Sequence, residues 1–390
     1  MEQSHTKVEM IDNSEHFDTP GFAKNNKRTK RGASKHQVCF VPLQLRASDQ
    51  KTILWKNKKP NSNRQTKILR SEWVAETSEF IVESHNSLEA EIKNLQSLEV
   101  EVDGVKILVN FEVLNCMNDG KVLHAVATQH YKREKMIPEA SKSLSFQVCH
   151  LCNRSSKDFQ KDFHQARATI EALKPLGFAP LHCAKNSREC ILRSAFRKSA
   201  MTHFGKKDAA TVKMAQNRIC EKLSWATGAR LFDPEPEKKG NSNTGENLKL
   251  ITQYPEKTAK ILDCSEELLS VLHELLGMIE STKAQDPEVM ESLSKRIFYL
   301  FQQDFGAFSQ LSPSFHRALA HSAEFARYYQ NRGFTIGELS ETAQEAINAP
   351  TKKDVASFSF RGSHQKQNLG CFRRNWAFGD PFTMQYAEKM

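Results

Sequence analysis

The pair Cys149 and Cys152, with two residues between them, constrains this chain more than any other feature. A turn of that length aims two thiolates at one point, which is half of a tetrahedral zinc site. Whatever supplies the other half must fold back against it, and two suppliers are open. His316 and His321, far along the chain, would complete a Cys2His2 set and clip distant segments together. Five positions apart, they lie about 140° around an ideal helix, so they converge only if one sits at a helix end. The local alternative is His164 with His182 or Cys183. The nine cysteines are irregularly spaced, which suits reduced thiols and a metal pair rather than a disulfide framework.

With 390 residues the chain has room for two or three domains and a sizeable core. Its formal charge of +10 suits a polyanionic partner, because phosphate contacts supply most non-specific nucleic-acid affinity. The excess is clustered. Lys24, Lys27, Arg28, Lys30, Arg31 and Lys35 form one group, readable as a nuclear-import signal or a phosphate-tracking arm. Lys51, Lys56, Lys58, Lys59, Arg64, Lys67 and Arg70 form another. No run approaches the roughly 18 apolar residues of a membrane span. The start, Met1-Glu2-Gln3-Ser4-His5, lacks the cationic and apolar regions of a signal peptide. These readings predict an intracellular, nuclear protein that binds DNA and no membrane.

Hydrophobic spacing predicts strands at Lys7 to Ile11, Gln37 to Leu45 and Thr52 to Trp55. A helix is predicted from Glu72 to Leu95. Two further strands, Leu98 to Val102 and Val105 to Leu114, flank an Asp103-Gly104 turn. The middle third reads as helical: Phe159 to Leu173, Arg188 to Thr202 and Ala209 to Ala226. A polar loop follows from Asp233 to Glu246. Asp263 and Glu266 read as a capping pair for a leucine-striped helix, and Met290 to Gln310 as another helix.

Asp12 closes the first predicted strand, and Asp119 follows the apolar strand ending at Leu114. Glu345 lies on a carboxylate-rich helical segment near the end of the chain. Three carboxylates on rigid elements can bind two Mg²⁺ ions for chemistry at phosphorus. Asp18, Asp103 and Glu341 compete for the same roles. The order strand, strand, strand, helix, strand, with an acid closing the first and last, is that of an RNase H-like fold.

These residues together resemble Transib-type DNA transposases and the catalytic core of the V(D)J recombination-activating recombinase. The markers appear in family order: Phe40-Val41-Pro42-Leu43-Gln44-Leu45, then Ile53-Leu54-Trp55-Lys56-Asn57 with Pro60-Asn61-Ser62. Asn118-Asp119-Gly120-Lys121-Val122 is similar to the segment bearing the second catalytic aspartate. Val148 to Cys152 is similar to the zinc-binding cysteine pair, and His316 to His321 to its histidine partners, which favours the long-range site. Gly337 to Asn348 is similar to the segment of the third acid, which falls on Glu345. Two positions depart from the pattern. Asp12-Asn13-Ser14-Glu15-His16 stands where the family has an Asp-Gly-rich turn, and Ala349-Pro350 follows Asn348 where it typically has a basic residue.

The resemblance implies an α+β protein with an RNase H-like core over 1–140. A helical zinc-binding insertion would occupy 141–335, and a catalytic helix with its tail 336–390. It implies catalytic Asp12, Asp119 and Glu345 holding Mg²⁺ or Mn²⁺. Structural Zn²⁺ would sit on Cys149, Cys152, His316 and His321. DNA is the implied partner and a second copy of the chain a further one. Family members carry DNA-end-binding domains ahead of this region, so a truncated or degenerate element is also an expectation.

Overall fold

The computed structural model describes residues 5–17, 34–49, 51–114, 118, 120–138, 148–155, 157–159, 169–205, 208–231, 243–343, 345–347, 350–351 and 364–379. The chain is mixed α and β and divides into two units. The first comprises Met1–Leu144, Pro175–Ala179 and Leu339–Met390, and the second Ser145–Lys174 and Pro180–Glu338.

In the first unit, strands β1 (His5–Phe17), β2 (Ser34–Arg46), β3 (Ile53–Lys56), β4 (Lys67–Val74), β5 (Leu98–Val102) and β6 (Val105–Leu114) form one sheet. Its order is β3-β2-β1-β6-β5, and β4 pairs with β2. β1 runs antiparallel to β2, with Asp12 opposite Phe40, and parallel to β6 from His5↔Leu108 to Ile11↔Leu114. β2 is central, with Val38, Cys39, Val41 and Leu43 all buried, which explains its nearly unbroken apolar run. Asp103 and Gly104 both have positive φ, at 52° and 75°. That is the backbone a two-residue hairpin needs to match strand twist, and it is why Asp-Gly stands there.

Helix α1 (Ser78–Lys93) is capped by Thr77, whose side chain accepts from the Phe80 N–H, and buries Ile81 and Leu88. The helical expectation from Glu72 is corrected, because Glu72 to Val74 belongs to β4 and Leu95 is exposed. Edge pairing with β2 overrode a spacing that helix and strand share over so short a run. Helix α2 (Gly120–Arg133) packs Val122 and Ala125 against Ile81.

The second unit is helical: α3 (Pro180–Phe204), α4 (Ala209–Thr227), α5 (Gly245–Gln253), α6 (Pro255–Leu262), α7 (Glu266–Glu280), α8 (Pro287–Phe305), α9 (Pro313–Ala320) and α10 (Ser322–Gln330). The stripe Leu268, Leu269, Leu272, Leu275, Leu276 and Ile279 on α7 is wholly buried. The cap of α7 is Ser265, which accepts from the Leu268 N–H. Asp263 instead ends α6 in a left-handed conformation, which corrects the Asp263–Glu266 pairing. The helix expected over Phe159 to Leu173 is not seen in its described part. Phe159 lies in a turn and Glu171–Leu176 is a 3₁₀ helix containing Pro175, which has no N–H to donate. Gly245 and Glu246, expected in a loop, begin α5. Thr244 caps that helix, and residues 233–242 of the loop lie outside the described residues. At Gly337 an added Cβ would overlap the carbonyl of Ser281, so only glycine fits. Helix α11 (His364–Phe378) belongs to the first unit.

Candidate metal centre

Cys149 and Cys152 sit on a tight knuckle. The Cys149 N–H donates to the Arg154 carbonyl at 2.8 Å and the Asn153 N–H to the Cys149 carbonyl at 2.9 Å. Val148 and Ser155 bridge the two arms. Asn153 takes φ of 55°, which an Asn tolerates better than most residues and which reverses the chain. Both cysteines and the intervening Leu151 are buried.

The histidines come from a broken helix. Ser312 caps α9, and His316 lies on its buried face. His321 ends α9 and begins α10, at φ −118° and ψ −14°. The axis therefore changes at His321, which is the condition under which histidines five apart converge. Their rings lie 5.4 Å apart and nearly perpendicular. Phe159 stacks on His316 at 3.8 Å and fixes its plane.

The four side chains meet. His321 Nε2 is 3.7 Å from Cys149 Sγ, and His316 Nε2 is 3.4 Å from Cys152 Sγ. All four ligand atoms lie within 4.8 Å of one another, and all four residues are buried. Zinc bonds of roughly 2.3 Å to sulfur and 2.1 Å to nitrogen give a tetrahedral S···N edge of about 3.6 Å, so the observed separations fit. Neither His182 nor Cys183, of the local alternative, belongs to this group, and His164 lies outside the described residues.

Electrostatics agree with the donor set. Burial opposes ionisation of Cys149, yet hydrogen bonds from Cys152, His316 and His321 and the charge of His321 hold its pKa well below the usual thiol value. Cys152, facing that thiolate in a dry site, is pushed far up. A divalent cation would relieve the conflict by letting both thiols ionise.

A second layer orients His321. Thr169 Oγ1 donates to Glu324 Oε2 at 2.6 Å, so its oxygen accepts from His321 Nδ1 at 2.9 Å. This fixes a proton on Nδ1, so Nε2 is the nitrogen left to ligate a metal beside Cys149. Burial alone would raise the Glu324 pKa. The His321 ring 3.8 Å away, with hydrogen bonds from Thr169 and Lys174, overcomes that and holds it at about 2. Lys174 also bridges to Glu171 at 2.7 Å. Thr169 and Glu324 escaped the sequence reading, although the three-residue step from His321 to Glu324 puts them on one face of a helix and was available as a signal.

The acids are placed less completely. β1 continues through Asp12 to Phe17, which corrects the strand end expected there; Asp12 instead follows the last pair of the parallel β1–β6 ladder. Asp119 and Asp18 lie outside the described residues. Glu345 is exposed at the start of a helical stretch over 345–347, with its N–H bonded to the Glu341 carbonyl, whereas Glu341 itself is buried. Asp103 occupies the hairpin turn. Around Asp119, two ties were not visible in the sequence. The buried Asn118 amide donates to the Leu176 carbonyl at 3.1 Å. Lys121 pairs at 2.7 Å with Glu76, which also meets His36 at 3.1 Å.

The basic clusters divide. Lys24 to Arg31 lie outside the described residues. Lys51, Lys58 and Lys59 are exposed, but Lys67 lies over the Trp376 ring at 5.6 Å and Arg70 pairs with Glu91. The second cluster is thus partly spent inside the fold. Among the described residues, no helix is long and apolar enough to cross a membrane. No protein-family model matches the chain, and no curated protein matches it.

Proposed function

We propose that this chain is a DDE-type DNA transposase- or recombinase-like protein, with an RNase H-like first unit and a second unit built around one structural zinc. The observation that carries the reading is the sheet. An antiparallel β1–β2–β3 run is followed, after a helix, by β6 parallel to β1 and adjacent to it. The parallel ladder ends at Ile11↔Leu114, where Asp12 follows within β1, and in the sequence Asp119 comes five residues after Leu114. Glu345 returns to the same unit, where Ile347 packs with Cys39 of β2 and Ile68 of β4.

In this reading Asp12, Asp119 and Glu345 hold Mg²⁺ or Mn²⁺. The ion would activate a water or a 3′-hydroxyl and stabilise the leaving oxygen. Asn118 and Lys121, which flank Asp119 in the sequence, are tied to Leu176 and Glu76. The substrate is DNA, nicked at an element end and then attacked by the freed 3′-hydroxyl, and the basic N-terminal cluster acts in nuclear import or on the DNA backbone.

A second reading, a transposase-derived DNA-binding scaffold without cleavage, is favoured by one observation. β1 runs straight through Asp12 where the resemblance calls for a glycine-rich turn. Nicking assays with Mg²⁺ and Mn²⁺ separate the two. Asp119→Asn and Glu345→Gln, which keep shape and remove a negative ligand, should each abolish nicking and leave DNA binding largely intact. Wild-type protein that binds several candidate ends and nicks none of them would establish the scaffold reading instead.

A further inference from the structure

A second polar site lies on the helical unit. Asn186, Glu189, Arg193 and Arg197 recur on α3 at helical spacing and face the 306–314 segment between α8 and α9. Between them is a cavity of about 760 Å³, the size of a small-molecule site.

Its wall is rich in donors. Arg197 Nη1 reaches Ser309 Oγ at 2.9 Å. Ser314 Oγ accepts from Asn186 Nδ2 at 3.2 Å and from Arg317 Nη2 at 3.3 Å. A hydroxyl whose oxygen already accepts twice has its own proton left to give. Behind Ser314, Arg317 is only 5% exposed. Its side-chain partners among the described residues are Ser314 and His150, neither of them a carboxylate. A buried guanidinium without a counter-anion is unfavourable, and an anion one hydroxyl away would compensate it. Glu189 is the opposing charge in the wall, and Arg193 Nε holds it at 2.9 Å.

We propose that this cavity binds the phosphate group of a phosphorylated ligand, with Arg193 and Arg197 as charged donors and Ser314 coupling the ligand to Arg317. Arginine suits this role because its fork matches phosphate oxygens. The phosphate can belong to a nucleic-acid backbone or to a small phosphate ester, and the site requires no nuclease activity.

Calorimetric titration of inorganic phosphate into the intact, zinc-loaded chain tests it. Saturable binding is expected. It should weaken about tenfold, or about 1.4 kcal/mol, in Arg197→Ala, and further in the Arg193→Ala/Arg197→Ala double variant. Glu189→Gln, which removes the competing acceptor, should tighten it. Both arginines are exposed, so the variants should keep the wild-type circular dichroism. Duplex DNA displacing phosphate assigns the site to a backbone phosphodiester, whereas displacement by a nucleoside monophosphate alone assigns it to a small ester. Either result supports phosphate recognition and holds even if nicking is never observed. Absence of saturable binding, or affinity unchanged in the double variant, overturns the proposal.

Discussion

His321 carries more of the proposed metal centre than any other residue, because three separate demands meet on it. It must break a helix, present Nε2 to the cysteines and keep its proton on Nδ1. Thr169 and Glu324 meet the last demand. Such outer partners typically contribute 10–100-fold to metal affinity. Thr169→Ala should therefore release zinc to a competing chelator about tenfold more readily, with the fold retained. Elemental analysis should find about one zinc per chain, and Cys149→Ala with Cys152→Ala should remove it. Full retention in that double variant would refute the site.

Among the elements, α7 shows most plainly how a sequence pattern becomes stability. Six apolar side chains on one stripe are buried, each contributing about 1.5–3 kcal/mol relative to exposure. Leu272→Ala leaves a cavity that rigid neighbours cannot fill, so urea unfolding should show a loss of about 2–5 kcal/mol. Trp225 on α4, 87% exposed, is the contrast, and its replacement by Ala should stay within about 0.5 kcal/mol. Equal effects at the two positions would contradict the burial described for α7.

At the scale of the whole molecule, the first unit is assembled from three stretches of chain and the second from two. The four candidate metal ligands all belong to the second, so chelation should lower the stability of that unit's unfolding transition, because metal binding is coupled to folding. The basic excess acts at this scale too. DNA affinity should fall steeply as salt rises, by about 0.9 log units per log unit of salt for each phosphate neutralised. Neutralising Lys24 to Lys35 together with Lys51, Lys58 and Lys59 should flatten that slope, while Lys67 and Arg70, already engaged, should contribute less. A flat titration for the wild-type chain would remove the electrostatic argument.

What depends on neighbours along the chain was legible in the residues alone. The Asp103-Gly104 hairpin, the cysteine knuckle and the leucine stripe of α7 were all legible, because turn chemistry and hydrophobic period act over a few residues. What depends on distant pairing was set by the folded chain. It extended β1 past Asp12, because β2 continued to pair with it as far as Phe17↔Lys35. It made Glu72 to Val74 a strand through β2 and brought His316 and His321, rather than Cys183, to the cysteines by breaking a helix at His321. It also made Thr169 and Glu324 partners of His321, and tied Asn118 and Lys121, which flank Asp119 in the sequence, to Leu176 and Glu76. Hydrogen bonds between residues far apart leave no period in a sequence, and only the folded chain brings their donors and acceptors within 3 Å or so.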